Sequence, residues 1–551
     1  MLNNYIKKNI KVILCMICTV GLCWIDVIRN IGNGAQIGFT SNLIGVCVFP
    51  MIVMRFKAKD FLKLPNLLWL ILFAILAYPA YRAMDIGTDY NGQIASAILN
   101  IGLYGLVLIR MLHYLFKEHK ENLKKMSPVF WLWSGLLVFC IISRNEAIWP
   151  LWFAVMMGAF YLAPADRKTY EDTILGIVDG VIVSFVWIQS RAFLYRPYDV
   201  YPAYRGHFNN SSVNSMFYLY VYMAVLVRLA YAVRRQKKSK LECALLFILA
   251  CSMWDFAYLT ASRSALLAYA VITIVYLVAE KIKTKNGSIK KFMISGLSMF
   301  LVFVLMFVPV YACVRYIPAL RHHPVWYGDY SEDKVHSWDP IDSEKYVTLE
   351  EALGKVLIDK IKKSLSVSYI VKPYFIVCSV VKWTDMPGGQ YVYEYSDGVE
   401  PGTDLHHKVF IVESRPENIQ YGYEHMGFLG NRRYVYKFFI EHLNLMGHKP
   451  VHQYFYIDDI IGHAHNSYLQ ISYYFGIIAG LFFLALSIYG PVYIFRKRWN
   501  GEVKDRWVYL YPLLFLTGYF TFSIFECPTF LGEYLFTGFF LCLLPIMRKE
   551  M

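Results

Sequence analysis

The chain is short of charge. Of its 551 residues 57% are hydrophobic and 17% aromatic, while only 17% are Asp, Glu, Lys or Arg. A soluble protein of this length carries more charge and lacks repeated apolar runs of about 20 residues. The composition excludes an ordinary soluble enzyme and reads as a polytopic membrane protein. Metal-like cysteine spacing is missing too. The 11 cysteines lie mostly in apolar runs, including the CxxC at Cys15 and Cys18, and only Cys378 stands well inside the large polar segment. A zinc site or a disulfide framework there is not expected. There is no internal repeat and no low-complexity tract. Lys7, Lys8 and Lys11 precede the first apolar run without a small-residue cleavage site after it, so that run is expected to stay as a first span.

Fourteen apolar runs are candidate spans, near 10–28, 36–54, 64–81, 93–114, 128–142, 147–164, 173–193, 212–233, 243–260, 264–280, 292–314, 466–495, 507–525 and 530–547. The expected fold class is an all-α integral membrane protein of about 12–14 transmembrane helices, with one large extracytoplasmic loop domain before the last spans. Residues 1–314 form an N-terminal bundle of about 11 helices, 315–464 the loop domain, and 465–551 about three further helices.

One set of short loops lacks lysine altogether. It holds only Arg29, Arg82, Arg144, Arg191, Arg196, Arg205 and Arg263, whereas the opposite set collects Lys57, Lys59, Lys117, Lys120, Lys124, Lys125, Lys168 and the basic clusters near 234–240, 281–291 and 496–506. Positive charge marks the cytoplasmic side, so both termini are expected there. The formal charge of +15 is then a topology signal, not a nucleic-acid signal. Arginine without lysine on the other side suggests recognition of an anion, because a guanidinium fork grips phosphate oxygens at two points. The plainer reading is that each arginine snorkels or pairs with a carboxylate.

The polar segment carries 16 Lys and Arg against 20 Asp and Glu, a net of −4. Two helices are expected in it, Glu350 to about Val367 and Asn431 to about Leu445. A short strand is expected over Gln390 to Tyr395, among turns at Pro387-Gly388-Gly389 and Asp397-Gly398. At its end stands Gly462-His463-Ala464-His465-Asn466-Ser467, two imidazoles and an amide at the edge of a span. Histidine moves protons near neutral pH. Alternate histidines could instead hold a metal, but no matching ligand set accompanies them, or they could simply cap the next span. Thr260-Ala261-Ser262-Arg263-Ser264-Ala265 puts an arginine among small residues between two consecutive spans. Tyr204-Arg205-Gly206-His207-Phe208-Asn209-Asn210 is a polar loop able to lend donors to a sugar or phosphate, or an ordinary solvated loop. Glu526 is a carboxylate able to neutralise an arginine or orient a histidine.

Taken together, these stretches resemble the O-antigen ligase and O-antigen polymerase superfamily of bacterial membrane glycosyltransferases. His465-Asn466-Ser467-Tyr468-Leu469-Gln470, followed by Tyr474-Phe475-Gly476-Ile477-Ile478-Ala479-Gly480, looks like its signature of a large outer loop ending in His-Asn-x-x-Leu-Gln before a Gly-containing span. Ser262-Arg263-Ser264-Ala265 is similar to its Ser-Arg-small-Ala element. Arg432, with Tyr436 and then Leu443-Asn444-Leu445-Met446-Gly447, resembles its loop arginine and the turn after it, and Arg205-Gly206-His207-Phe208-Asn209-Asn210 its Gly-x-Phe-x-Asn-Pro stretch. The chain departs from the pattern at Tyr436, where a Trp is usual, at Lys449 in place of a second Gly, and after Asn210, where Pro-Asn is missing.

The resemblance implies transfer of a glycan from an undecaprenyl-pyrophosphate carrier to an acceptor hydroxyl, without cofactor or metal and with inversion, on the outer face of the bacterial cytoplasmic membrane. Under it His465 is the expected base, with His463 as runner-up. Arg263, Arg432 and Arg205 are expected on the pyrophosphate, Arg433 is an alternative to Arg432, and Asn466 and Glu526 are expected near the substrate. Partners are the lipid-linked donor, a glycan or lipid-glycan acceptor and the bilayer, with room for other polysaccharide-assembly proteins and none for nucleic acid. Polymerisation of repeat units is preferred to ligation onto a final acceptor.

Two other classes compete. Enzymes using polyprenyl-phosphate sugars generally need an acidic pair in the first outer loop, and Arg29 to Gln36 has none. A glycolipid transporter needs no His-Asn edge and should carry charges along a path through the membrane, but the spans are nearly charge-free apart from Asp179, Arg228 and Asp255.

Overall fold

The apolar runs fold as helices, since inside a bilayer a helix satisfies its own backbone N–H and C=O groups. The computed structural model describes residues 9–21, 23, 58–82, parts of 102–117, 120–145, 161–162, 167–195, 198, 203–208, 211–235, 239–282, 287–320, 347–354, 382–386, 390–395, 408–412, 432–449, 454–456, 459–461, 463–500, 507–527 and 547–549. Its apolar helices are α1 (Asn9–Gly21), α2 (Leu64–Arg82), α3 (Pro128–Ile142), α4 (Arg167–Tyr195), α5 (Ser211–Arg234), α6 (Lys240–Leu259), α7 (Arg263–Leu277) and α8 (Ile289–Leu320). The polar segment adds α9 (Leu349–Gly354) and α10 (Arg432–Glu441). The chain then continues as α11 (Ser467–Phe475), α12 (Ile477–Asn500) and α13 (Leu510–Phe522).

Among the described residues six helices are long and apolar enough to cross a membrane: α4, α5, α6, α7 with its extension to Ile282, α8 and α12. These correspond to expected spans seven to twelve, and α3 coincides with the expected run 128–142. The runs near 36–54 and 530–547 lie outside the described residues, as do most of 93–114 and 147–164.

Helix α5 is the hub. It packs against α4, α6, α7 and α13, and it is buried nearly all round, from Asn214 to Ala232. That accommodates its mixture of Tyr, Ser and Asn with aliphatic residues, because Asn214, Ser215 and the buried tyrosine hydroxyls find partners inside. Tyr218 donates to Gln189 (2.7 Å), Tyr220 meets Tyr511 (2.9 Å), and Tyr222 meets Thr273 (2.6 Å) while stacking on Tyr269. Helix α8, by contrast, exposes Met293, Leu297, Phe300, Val304 and Leu305, the composition of a lipid-facing surface.

Where α6 meets α7 the turn is tight. Thr260 closes α6, Ala261 takes a left-handed conformation (φ 55°), and Ser262 caps α7 by accepting from the N–H of Ala265 at 3.4 Å. Arg263 is thus the first residue of α7. At the far end α7 loosens into a π-type turn, Val278–Ile282, whose Glu280 is clasped by Arg234 and the buried Arg498.

Two expectations need correcting. The run 466–495 is not one helix: Gly476 (φ 90°) breaks it into α11 and α12. The break exists because the backbone of Leu445–Gly447 crosses there. A Cβ on Gly476 would strike the carbonyl of Leu445, and one on Gly447 (φ 78°) the carbonyl of Tyr474. His448 N–H donates to Tyr473 O (2.7 Å) and Ile477 N–H to Asn444 O (2.9 Å), which ties the crossing together. Helix α10 also stops at Glu441, four residues early, because the side chain of Asn444 turns the chain by accepting from the N–H groups of Met446 and Gly447. Val435, Phe438 and Phe439 face inward as expected, but Met446 is exposed instead of joining them.

The fold is mostly helical, not purely so. Among the described residues of the polar segment are five short strands: β1 (Lys382–Met386), β2 (Gln390–Tyr395), β3 (Lys408–Val412), β4 (Tyr454–Tyr456) and β5 (Asp459–Ile461). The first three form an antiparallel sheet in sequence order, with the expected strand at its centre, and the last two form a hairpin. Extended backbone off the spans is compatible with water and needs no helix. Helix α9 begins close to the expected Glu350, and residues 355–381, which hold the rest of that expected helix, lie outside the described residues.

Candidate functional site

Three pieces of chain converge at one end of the bundle: the start of α10, the turn before α11 and the end of α13. The turn is built first. Asn466 is the N-cap of α11, its Oδ1 accepting from Leu469 N–H (3.0 Å), while its Nδ2 donates to Ile524 O (2.9 Å). Ser467 N–H donates to Ser523 O (2.9 Å) and its hydroxyl to Glu526 O (3.2 Å). Gln470, buried below, accepts from Ala464 N–H (2.5 Å). These bonds hold His465 in a left-handed conformation (φ 47°). Such backbone costs a non-glycine residue of order 1–3 kcal/mol and persists only where its surroundings over-determine it.

From α10, Arg432 and Tyr436, one turn apart, reach the same spot. Arg432 donates to Glu526 Oε1 (2.7 Å) with one arm of its fork and to Phe525 O with the other. Tyr436 donates to the carbonyl of His465 (3.2 Å). On the opposite side of the carboxylate, His465 Nδ1 lies 3.4 Å from Glu526 Oε2. Glu526 is therefore a bridge, buried between a guanidinium and an imidazole. His463 packs its ring 4.0 Å from that of His465. Arg263, at the head of α7, is near enough for its charge and that of Arg432 to repel.

Electrostatics divides the roles. Burial by itself would raise the Glu526 carboxyl, but the hydrogen bond with His465 and the charge of Arg432 outweigh it and hold the group below the usual carboxylate range. Glu526 is thus ionised at neutral pH. His463 keeps an edge in solvent, yet the protein crowded around it, then His465 and Arg432, push its pKa down to about 4 against the opposing pull of Glu526. At neutral pH it is therefore held as the neutral imidazole. An ionised carboxylate can only accept, so Glu526 takes the Nδ1–H of His465 and leaves Nε2 as the ring nitrogen turned away from the pair.

The expected residues fare differently. His465, His463, Arg432, Arg263 and Glu526 come together. Asn466 joins them, but both ends of its amide serve the protein backbone. Arg433 is next on α10, and its side chain lies outside the described residues. Arg205 follows Tyr204, whose N–H donates to Leu259 O (2.8 Å), so its loop is stitched to the backbone just before the Arg263 turn. Gly206 in that loop (φ 56°) lies over Asn214 and the Tyr218 hydroxyl. Among the described residues no three His, Cys, Asp or Glu side chains gather where they could hold a metal ion. In the sequence Tyr436 and Gln470 stand out only as parts of a pattern. Their contribution is to fix the backbone of His465, which no composition or spacing signals.

No family model matches the chain, no curated protein is detectably similar to it, and no solved structure matches it.

Proposed function

We propose that the chain is a membrane glycosyltransferase of the O-antigen ligase and polymerase type, joining lipid-linked polysaccharide repeat units. The observation that supports this best is the ionised Glu526 bridging His465 and Arg432, with Arg263 close by, at one end of an apolar helix bundle. In this reading that end faces away from the cytoplasm. The acceptor sugar hydroxyl gives its proton to His465 Nε2 as its oxygen bonds to the anomeric carbon of the donor glycan. The bond from that carbon to the pyrophosphate oxygen breaks in the same displacement, which inverts the anomeric centre. Negative charge grows on the departing pyrophosphate, where Arg263 meets it, aided by Arg205 from the neighbouring loop. Glu526 keeps the imidazole in the basic tautomer and stabilises the imidazolium as it forms. Arg432, committed to Glu526 and Phe525, holds the carboxylate in place and adds positive potential.

The test is a glycan gel from cells lacking the protein, complemented with wild type or His465→Ala, with membrane levels of the protein matched. Single lipid-linked repeat units without long chains in the mutant support a polymerase with His465 as base. Long lipid-linked chains that never reach a final acceptor mean a ligase instead. Wild-type glycans from the mutant reject the catalytic assignment.

A further inference from the structure

The Leu445–Met446 tip is apolar, exposed and rigid. Leu445 is 65% and Met446 54% exposed, although the loop carrying them is pinned on every side. Asn444 accepts from Met446 and Gly447 N–H, Asn145 donates to Met446 O (3.2 Å) and Tyr474 O (2.7 Å), and the crossing with Gly476 fixes the rest. Nothing in this geometry lets the two side chains turn inward.

The surface below them says what covers them. Helix α12 starts directly beneath the loop and exposes Leu481, Leu484, Ile488 and Val492 along one side. Helix α3, which packs against α12 through Phe139 and Phe482 (5.5 Å), exposes Val138 and Ile142, and three residues after Ile142 comes Asn145, already bound to the loop. The tip therefore continues two helix faces that have the composition of lipid-facing surface. Exposed Arg144 and Lys449 flank it, the arrangement of an apolar tip with basic neighbours at headgroup level.

We infer that Leu445 and Met446 insert into the bilayer leaflet at the site end, as an interfacial anchor for the segment that carries Arg432 and Tyr436. The occupant of this surface is the acyl-chain region of the membrane, not another protein. The anchor would set the height of α10, so that Arg432 and His465 stand at the level of lipid phosphates. This rests on the exposed apolar faces of α3 and α12 lying against lipid and not on the proposed chemistry.

The experiment is labelling of Met446→Cys and Leu445→Cys, each in the otherwise intact chain in liposomes, with a bulky membrane-impermeant maleimide. Lys437→Cys, on the exposed face of α10, is the aqueous reference, and peptide mass spectrometry locates the label against wild-type background. Labelling at 445 and 446 at least tenfold slower than at 437 is expected, with rates at all three sites becoming similar in denatured protein. Labelling of both positions as fast as at 437 in liposomes overturns the anchor. Slow labelling in liposomes that becomes fast when a soluble partner protein is washed away also overturns it. None of these outcomes depends on glycan transfer, so the anchor and the enzymatic reading fail separately.

Discussion

Glu526→Gln is the substitution that probes the site most directly, because it keeps the shape of the side chain and removes its charge. Glu526 has two partners, Arg432 at 2.7 Å and His465 at 3.4 Å. A glutamine oxygen still accepts from Arg432, so the stability cost is the difference between a charge-assisted and a neutral hydrogen bond. That is about 1–2 kcal/mol, brought toward the lower figure because the Arg432 side chain is 28% exposed and partly solvated. On the proposed reaction the catalytic cost is larger. An amide N–H₂ turned toward His465 favours the tautomer with its lone pair on Nδ1, which takes the basic nitrogen away from the substrate, and the developing imidazolium loses its counterion. In a tightly coupled carboxylate–imidazole pair this change costs about 10⁴-fold. The longer 3.4 Å contact here scales that to roughly 10²–10³-fold, or about 3–4 kcal/mol of barrier. The assay is the initial rate of chain extension by purified protein in nanodiscs fed lipid-linked repeat units, alongside thermal unfolding. A mutant that keeps more than a third of the wild-type rate would refute the orienting role of Glu526, whatever its stability.

Arg432→Lys should lose at least about tenfold in the same assay, close to the effect of Arg432→Ala, since one ammonium cannot reach both Glu526 and the Phe525 carbonyl as the guanidinium fork does. Gly476→Ala forces a side chain onto left-handed backbone and into the Leu445 carbonyl, so it should destabilise the protein by about 3 kcal/mol, read as a lowered unfolding temperature; an unchanged temperature would mean that the crossing relaxes freely. His463 gives a pH signature. Its pKa is pushed down to about 4 in the folded protein, whereas the unfolded chain takes up that proton near 6.5. Acid therefore favours unfolding, and stability should fall as pH drops from about 6.5 toward 4. The depressed Glu526 carboxyl costs stability only below its ordinary value of 4.5, so between pH 6.5 and 5 the difference in unfolding temperature between wild type and His463→Gln reads the His463 contribution, and that difference should shrink as pH falls.

The helices were legible because apolar residues run together for 18 residues or more, a signal that survives any detail of packing. Expected spans seven to nine and span eleven needed nothing else. The break at Gly476 was not legible, because Gly476 and Gly447 are required by each other, 29 positions apart, and either glycine alone reads as a tolerated residue in a span. Likewise Asn444 ends α10 through a local side-chain bond that competes with the helix, while the apolar spacing around it continues as though the helix did too. The strands β1 and β3 are short and carry no decisive alternation. Composition in a polar segment constrains little beyond turns.

For the site, the residue types were visible and their division of labour was not. Arg432 read as a phosphate ligand because guanidinium geometry suits phosphate, but the same fork suits a carboxylate, and Glu526 lies 94 residues away in sequence. Arg263 and His465 share a feature that only the backbone displays. A left-handed residue lies two positions before Arg263, Ala261 (φ 55°), and His465 is itself left-handed (φ 47°); each stands at the start of a helix capped by a side chain, Ser262 for α7 and Asn466 for α11. Both helices thus begin at the site end, where their unpaired N–H groups and aligned dipoles present positive potential. That field adds to Arg263 and Arg432, and on the proposed chemistry it would favour a transition state in which negative charge moves onto a leaving group. The left-handed residues allow the chain to enter each helix abruptly enough for both N-termini to sit at that edge, which is why strained backbone persists at these two places and is secured by so many hydrogen bonds.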